Sequence, residues 1–174
     1  EHGTDSQVIF ISTDEIIFNE TLKEIEKTVA ELPGNEIAKS ALENSRFILM
    51  NSVEEALEMS NYYAPEHLIL SVENPRTYIS KINNAGSVFL GNYTPESAGD
   101  YASGTNHTLP TNGFARNYSG VYMDSFVKKN TIQEISKTGI QNIGKTIEVM
   151  AEAEGLTAHK NAVSLRLKSL ENGI

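Results

Sequence analysis

NYYAPEHLIL, residues 61–70, places Glu66 and His67 directly after Pro65 and directly before an apolar run. Because proline fixes its own φ and disfavours helix at the preceding residue, this pattern predicts a turn from a helix into a strand. Such turns at the mouth of a sheet carry much of the chemistry of α/β proteins. A carboxylate beside an imidazole offers a base near neutral pH and a second group that can orient water. Taken alone, however, an isolated Glu-His pair is more commonly a polar surface turn.

Strand-length apolar runs and amphipathic helices alternate around this turn. The patterns predict strands over 7–12, 46–50, 67–72 and 87–90, and helices over 15–32, 35–43, 53–62 and 75–84. Thr13 or Asp14 is the expected N-cap of the first helix, and Ser52 with Glu55 forms a capping-box pattern before the third. Alternation at this spacing indicates βαβ units, so the chain is predicted to be α/β with a mainly parallel sheet flanked by helices.

Residues 91–120 interrupt the alternation with a long stretch rich in Gly, Ser, Thr, Asn and Pro. Long connections of this kind are usually functional or disordered, and aromatic anchors such as Tyr93 and Phe114 favour an ordered loop. Asp100 and His107 are its candidate active groups, and the glycines at 99 and 104 permit close approach to a ligand. A solvated surface loop explains the same composition equally well.

The tail has a different pattern. Residues 121–127 are expected to be a strand or an edge segment, and the apolar spacing beyond them predicts helices over 138–154 and from 157 onward. We therefore divide the chain into an α/β portion, 1–120, and a small C-terminal helical hairpin, 121–174. Glu154 and His159 lie at the hairpin's corner, where they could converge on one ligand or simply be solvated.

Composition limits the function classes. The 174 residues carry a formal net charge of −9, which argues against a surface for nucleic acid or anionic membrane. Cysteine is absent, so thiolate catalysis and sulfur-ligated zinc are excluded. No apolar stretch reaches the length of a membrane span, which makes a cytoplasmic protein the default expectation. The chain starts at Glu1 and soon enters a predicted strand, as a fragment of a longer protein would.

The four histidines, His2, His67, His107 and His159, all lie in polar or turn settings. Together with Asp100 they offer the nitrogen and oxygen ligands that zinc or another divalent ion accepts. Their spacing is too dispersed for a local motif such as HExxH. The residues by themselves therefore predict an α/β protein with a candidate metal site and leave the reaction open.

Four strings resemble the histidinol dehydrogenase family, in the same order and over nearly the whole chain. They are EHGTDSQ at 1–7, YAPEHL at 63–68, VFLGNYTPESAGDYASGTNHTLPT at 88–111 and AEAEGLTAHKNAVSLRL at 151–167. The resemblance covers only the C-terminal portion of the family's chain. It implies an aldehyde-dehydrogenase-like, incomplete Rossmann-like fold, with most NAD contacts in the preceding portion. The absence here of a GxGxxG turn agrees with that placement.

The resemblance also implies a reaction and roles for individual residues. Family members oxidise L-histidinol through L-histidinaldehyde to L-histidine, with two hydride transfers to NAD and a zinc ion that holds the substrate. By similarity, His67 is the general base and Glu66 helps to activate the water that hydrates the aldehyde. The implied zinc ligands are His2, Asp100 and His159, with a further glutamine expected just before Glu1. The implied substrate contacts are His67, Asp100, Glu154 and His159, and His107 receives no role.

The resemblance further implies a homodimer in which the tail completes the partner's active site through Glu154 and His159. Two other hypotheses remain open at this point. One is a related zinc- and NAD-dependent dehydrogenase of another small alcohol, which a substrate panel would separate from the first. The other is a catalytically inactive fragment that folds and dimerises, and the 174-residue piece alone is expected to be inactive.

Overall fold

The computed structural model of the protein describes residues 3–172, so His2, an implied zinc ligand, lies outside the described residues. The chain forms two compact units that divide between Val127 and Lys128. This division falls later than the boundary that we predicted at residue 120.

The first unit alternates strands and helices in the predicted order. Its strands are β1 (Ile9–Ser12), β2 (Arg46–Leu49), β3 (His67–Leu70) and β4 (Ser87–Leu90). Its α-helices are α1 (Glu15–Glu31), α2 (Glu36–Asn44), α3 (Val53–Tyr63) and α4 (Glu96–Tyr101). Short 3₁₀-helices cover Pro75–Lys81, Phe114–Arg116 and Met123–Phe126.

The strands are parallel, as predicted, but they form two pairs rather than one sheet. In the part of the chain that the structure describes, β1 pairs with β2 and β3 pairs with β4. The registers start at Ile9 opposite Arg46 and at His67 opposite Ser87. Each strand has four residues and uses one edge for pairing. Sequence patterns fix strand direction through the crossover connections, whereas joining of the pairs depends on long-range contacts.

Side-chain caps fix where two of these helices begin. The carboxylate of Asp14 accepts hydrogen bonds from the backbone N–H of Ile16 and Ile17, at 2.8 and 2.9 Å. Ser52 accepts one from Glu55 at 3.2 Å, while the Glu55 carboxylate accepts from the N–H of Asn51 instead of Ser52. The capping-box pattern therefore marks the start of α3 correctly, although its return bond reaches one residue further back.

Three segments differ from their predicted form. The helix expected over 75–84 is a 3₁₀-helix over Pro75–Lys81, preceded by Asn74 in the left-handed region at φ 54°. The strand or edge segment expected over 121–127 is wrong, because a 3₁₀-helix over Met123–Phe126 lies there. The loop over 91–120 contains α4, a helix too short to show periodicity in the sequence, and its expected aromatic anchors Tyr93 and Phe114 are exposed.

The second unit is the predicted helical hairpin, α5 (Lys137–Ala153) and α6 (Thr157–Glu171). A Cβ on Gly144 would lie 2.9 Å from Leu167 Cδ1, so the two helices approach closely at this glycine. Gly155 ends α5 with φ +72°, as its C-terminal position predicted. Thr157 is the first residue of α6 rather than its cap, since Leu156 occupies the N-cap position without a side-chain bond.

Across the described residues, no helix is both long and apolar enough to cross a membrane.

Candidate active site

The Glu66–His67 pair lies at a helix-to-strand turn, as the proline pattern predicted. Helix α3 ends at Tyr63, Ala64 adopts a left-handed conformation at φ 56°, and β3 begins at His67. Two main-chain hydrogen bonds fix the turn, from Gly86 N to Pro65 O and from Ser87 N to Glu66 O, both at 2.9 Å. The backbone that carries the pair is therefore held against the start of β4.

Residue 86 must be small for this arrangement. A Cβ at Gly86 would lie 2.6 Å from the main-chain oxygen of Glu66 and 3.3 Å from Leu109 Cβ. Both distances are shorter than ordinary contacts, and the nearer one involves backbone that cannot rotate away. The glycine thus lets the segment before β4 approach the Glu66–His67 turn closely.

His67 has a partly enclosed imidazole. Its side chain is 23% exposed, and its ring centroid lies 5.8 Å from that of Phe89, which is buried. The Nε2 atom is shielded from solvent and has no hydrogen-bond partner among the described residues. It lies 3.6 Å from Oε1 of Glu96, within ion-pair range but beyond a normal hydrogen bond.

Helix α4 brings two carboxylates to this imidazole. Glu96 and Asp100 are four residues apart, so they share one face of the helix. The helix can pack closely on β4 because the buried Gly99 has no side chain. A Cβ there would be 2.7 Å from Phe89 Cε1 and 2.9 Å from Thr105 Oγ1.

His67, Glu96 and Asp100 each offer a ligand atom, and these three atoms lie within 4.8 Å of one another. All three residues have intermediate exposure. One imidazole nitrogen with two carboxylates is a donor set that zinc accepts. The cluster could therefore hold a metal ion, or it could pair a base with acidic groups that orient it.

An open groove borders this cluster. Its lining starts at Asp100 and includes Gly104, Thr105, Asn106, His107, Thr108, Val121 and Tyr122. The Asn106 side chain shapes the groove, since it donates to Val121 O and accepts from the backbone N–H of Thr108. His107 is exposed on the groove wall, and the structure gives it no contact that defines a role.

From the predicted set, the structure brings together His67 and Asp100, and Glu66 directly precedes His67 in the turn. Glu154 and His159 belong to the second unit, where both are exposed at the predicted corner, after the end of α5 and in the first turn of α6. Glu96 was missed by sequence reasoning. The spacing of Glu96 and Asp100 in TPESAGD was the available signal, because it puts two carboxylates on one helical face.

Comparisons with known proteins identify the family of this chain. The profile of the histidinol dehydrogenase family matches residues 1–167. Histidinol dehydrogenase from Bacteroides thetaiotaomicron is 56% identical over 171 residues, covering 98% of this chain and 40% of that protein. The histidinol dehydrogenase from Haemophilus influenzae is 52% identical over 170 residues, with 98% and 40% covered.

A solved structure shows the same likeness in three dimensions. The crystal structure of histidinol dehydrogenase from Elizabethkingia anophelis has a TM-score of 0.93 and 62% sequence identity to this chain. The match covers 98% of this chain and 39% of that one. The chain thus spans about 40% of the length of the relatives that it matches. Sequence and structure together show that this chain belongs to the histidinol dehydrogenase family.

Proposed function

We propose that the protein containing this chain is an NAD-dependent, zinc-requiring oxidoreductase. It converts L-histidinol through L-histidinaldehyde to L-histidine, the last step of histidine biosynthesis. One observation supports this most strongly: the chain matches the family over residues 1–167, and within it the His67 imidazole and the Asp100 carboxylate lie in one cluster.

His67 is the proposed general base. A hydride leaves the carbinol carbon readily only when the hydroxyl oxygen loses its proton, and a neutral imidazole accepts that proton near neutral pH. The imidazole packs against Phe89 and its Nε2 is shielded from solvent, a setting that suits a group that must meet one hydroxyl in a fixed geometry. When bound, NAD accepts the hydride, and its binding residues are expected in the portion of the protein preceding this chain.

Glu66 is the proposed group that activates water for hydration of the aldehyde. Its main chain is fixed by the bond from Ser87 N, directly beside His67. A carboxylate at that position accepts a proton from water as the oxygen attacks the aldehyde carbon, and the hydrate then loses the second hydride. In this proposal, His67 removes the hydroxyl proton and the adjacent Glu66 activates the water that hydrates the aldehyde.

The proposed zinc ligands are His2, Asp100 and His159. Asp100 belongs to the first unit and His159 to the second. Asp100 supplies a carboxylate oxygen at the edge of the open groove, and this is a donor type that zinc accepts. When bound, zinc orients the substrate through its imidazole and amino nitrogens. Substrate contacts are proposed for His67, Asp100, Glu154 and His159.

The protein is further proposed to act as a homodimer. Glu154 and His159 are exposed at the corner of the helical hairpin, where another molecule can reach them. In this arrangement, the second unit of one subunit contributes both side chains to its partner's site. A monomer would then have an incomplete pocket.

The test measures NADH formation from L-histidinol by the protein expressed from its complete reading frame. The zinc-loaded protein should yield two NADH per histidinol, and chelation should abolish turnover. His67→Asn should lower kcat about 10²- to 10⁴-fold, the usual loss of a general base, while the protein keeps its zinc. Zinc-loaded wild-type protein without turnover would contradict the proposal and direct the search to other small amino alcohols.

A second variant separates the two oxidations. Glu66→Gln should slow oxidation of L-histidinaldehyde more than oxidation of L-histidinol, because only the aldehyde step consumes water. Glu73→Gln is the matched control, since Glu73 is exposed beyond the other end of β3. Equal slowing of both steps by Glu66→Gln would contradict the proposed role of this carboxylate.

A further inference from the structure

We propose that Glu96 is a positioning residue for His67, one that fixes the orientation and the tautomer of the imidazole. This inference rests on the proposed function, because it concerns the base of that reaction. Glu96 has no part in the roles proposed above, yet it supplies the carboxylate oxygen that lies 3.6 Å from Nε2 of His67.

The surroundings of Nε2 favour one tautomer. A neutral imidazole carries one N–H donor and one acceptor nitrogen, and a buried N–H requires an acceptor. Nε2 is shielded from solvent and lacks a hydrogen-bond partner among the described residues, and an ionised Glu96 can only accept. The Glu96 Oε1 atom, 3.6 Å from Nε2, is an acceptor within ion-pair range of that N–H. The proton then stays on Nε2, and Nδ1 keeps the lone pair that takes the substrate proton.

Packing beneath the pair holds Glu96 in place. Glu96 is the first residue of α4, and α4 lies directly on the Phe89 ring at Gly99. The same Phe89 ring contacts the His67 imidazole at a centroid distance of 5.8 Å. One buried side chain therefore supports both the helix that carries the carboxylate and the ring that the carboxylate faces.

Asp100 is a less suitable partner for this task. It offers an oxygen within 4.8 Å of the other two ligand atoms, but it is the proposed zinc ligand on this helix. A carboxylate bound to a metal has less charge to offer an imidazole. Glu96 lies one turn earlier on the same face and is not a member of the proposed ligand set.

The experiment uses the zinc-loaded protein from the complete reading frame, with L-histidinol and NAD. Glu96→Gln should lower kcat about 10- to 100-fold, the usual loss for a group that orients a functional side chain. KM for histidinol and zinc content should stay within about twofold of wild type, and Glu96→Asp should recover part of the lost rate. Glu58→Gln, an exposed glutamate on α3, is the matched control and should behave as wild type.

A double-mutant cycle tests whether Glu96 acts through His67. Glu96→Gln should have no more than about a twofold effect when His67 is already asparagine. An equal fold-loss in both backgrounds, a loss of zinc in Glu96→Gln, or a wild-type rate in that variant would each overturn the inference. Failure of the wild-type protein to oxidise histidinol would instead overturn the proposed function.

A spectroscopic measurement does not depend on turnover. In protein labelled with ¹⁵N-histidine, the His67 signal is identified by its absence in His67→Asn. Wild type should show the proton on Nε2, and Glu96→Gln should shift that signal toward the other tautomer or a mixture. An unchanged His67 signal in Glu96→Gln would contradict the inference.

Discussion

The two strand pairs of the first unit have the same strand arrangement but differ in the aromatic side chains that pack on them. Both consist of four-residue parallel strands in register. In the first pair, Phe10 packs against Phe18 and Phe47 at centroid distances of 6.0 and 6.3 Å. In the second, the Phe89 ring packs against the imidazole of His67. The first cluster contains only phenylalanine rings, while the second contains an imidazole that has two carboxylates nearby.

The connections between the strands of the two pairs also differ. Two α-helices, α1 and α2, join β1 to β2, whereas a single 3₁₀-helix joins β3 to β4. A short connection leaves the face of β4 accessible, and α4 lies on that face at Gly99. The candidate site therefore differs from the first strand pair in two features. His67 lies at the start of β3, and the short helix α4 follows β4.

Among the variants that compare the two strand pairs, Gly99→Ala has the largest expected effect, because it disrupts the packing of α4 on the second pair. Its Cβ would lie 2.7 Å from Phe89, so α4 must move away from His67. A displacement of about 1 Å at a catalytic group costs about 10²-fold, and kcat for histidinol should fall by that amount. Steady-state kinetics of the complete protein provide the measurement.

Gly34→Ala, in the turn between α1 and α2, is the control for that prediction. A Cβ at residue 34 would have no neighbouring atom within 4 Å, although the φ of +66° is strained for alanine. The substitution should lower the free energy of unfolding by about 1 kcal/mol and leave kcat unchanged. A similar loss of kcat in both variants would show that close packing of α4 on Phe89 is unimportant.

The next effect concerns the first pair. Phe10→Ala should lower the free energy of unfolding by about 2 kcal/mol, below the usual loss for a fully buried phenylalanine because Phe10 is only partly buried. The kcat of the folded protein should not change, since this aromatic cluster contains no ionisable group. Urea unfolding and kinetics on the same sample test both parts, and a selective loss of kcat would contradict the purely structural role of the first pair.

Removal of a helix cap should have a smaller effect on the free energy of unfolding. Two such variants compare the cap of α1 with the cap of α3. Asp14→Ala and Ser52→Ala should each cost about 1 kcal/mol of stability. Asp14→Ala should cost more, because its carboxylate caps two N–H groups and the Ser52 hydroxyl caps one. Thermal unfolding ranks the two variants, and the reverse order would show that bond number does not set cap strength here.

The smallest expected effect is the loss of stability when the ion pair between Lys81 and Glu54 is removed. This pair joins α3 to the 3₁₀-helix before β4. The Lys81 ammonium, 2.8 Å from Glu54, lowers the pKa of that carboxyl chiefly through its hydrogen bond. Because the folded-state pKa of Glu54 is depressed, its contribution is present above the unfolded pKa and is lost as pH falls through the folded pKa. Lys81→Met should therefore destabilise slightly at neutral pH, and the difference from wild type should vanish in acid.

Lys23→Met is the control for that pair. Lys23 bonds Glu20 at the same 2.8 Å but within one exposed helix of the first pair. It joins no separate elements, so its loss should change stability less than the loss of Lys81. Unfolding curves at several pH values and salt concentrations compare the two. A pH-independent effect of Lys81→Met would contradict the assignment to Glu54.

Local sequence signals predicted much of this fold because they act through neighbouring residues. β4 was predicted with its observed bounds, and the starts of α1 and β2 were also correct. Pro65 marked the helix-to-strand turn, and Gly155 marked the end of α5. Proline and glycine constrain their own backbone and that of their neighbours, so such signals survive without tertiary context.

The site was only partly predictable. Glu66 and His67 became candidates because they are adjacent in sequence, and Asp100 because it stands out in a polar loop. Glu96 looked like an ordinary loop glutamate, and its helix of six residues was too short to reveal a periodic face. Only its distance to His67 distinguishes it from the other exposed or half-exposed glutamates.

Local sequence preferences were sufficient for the elements, the parallel direction of the strands and the position of the Glu66–His67 turn, since each depends on the backbone within a few residues. Long-range packing was needed to form two strand pairs and to lay α4 on Phe89 at Gly99. It was also needed to bring Glu96 to face Nε2 of His67. These features depend on contacts between residues distant in sequence, where side-chain volume and close approach select one arrangement among many that the same local pattern permits.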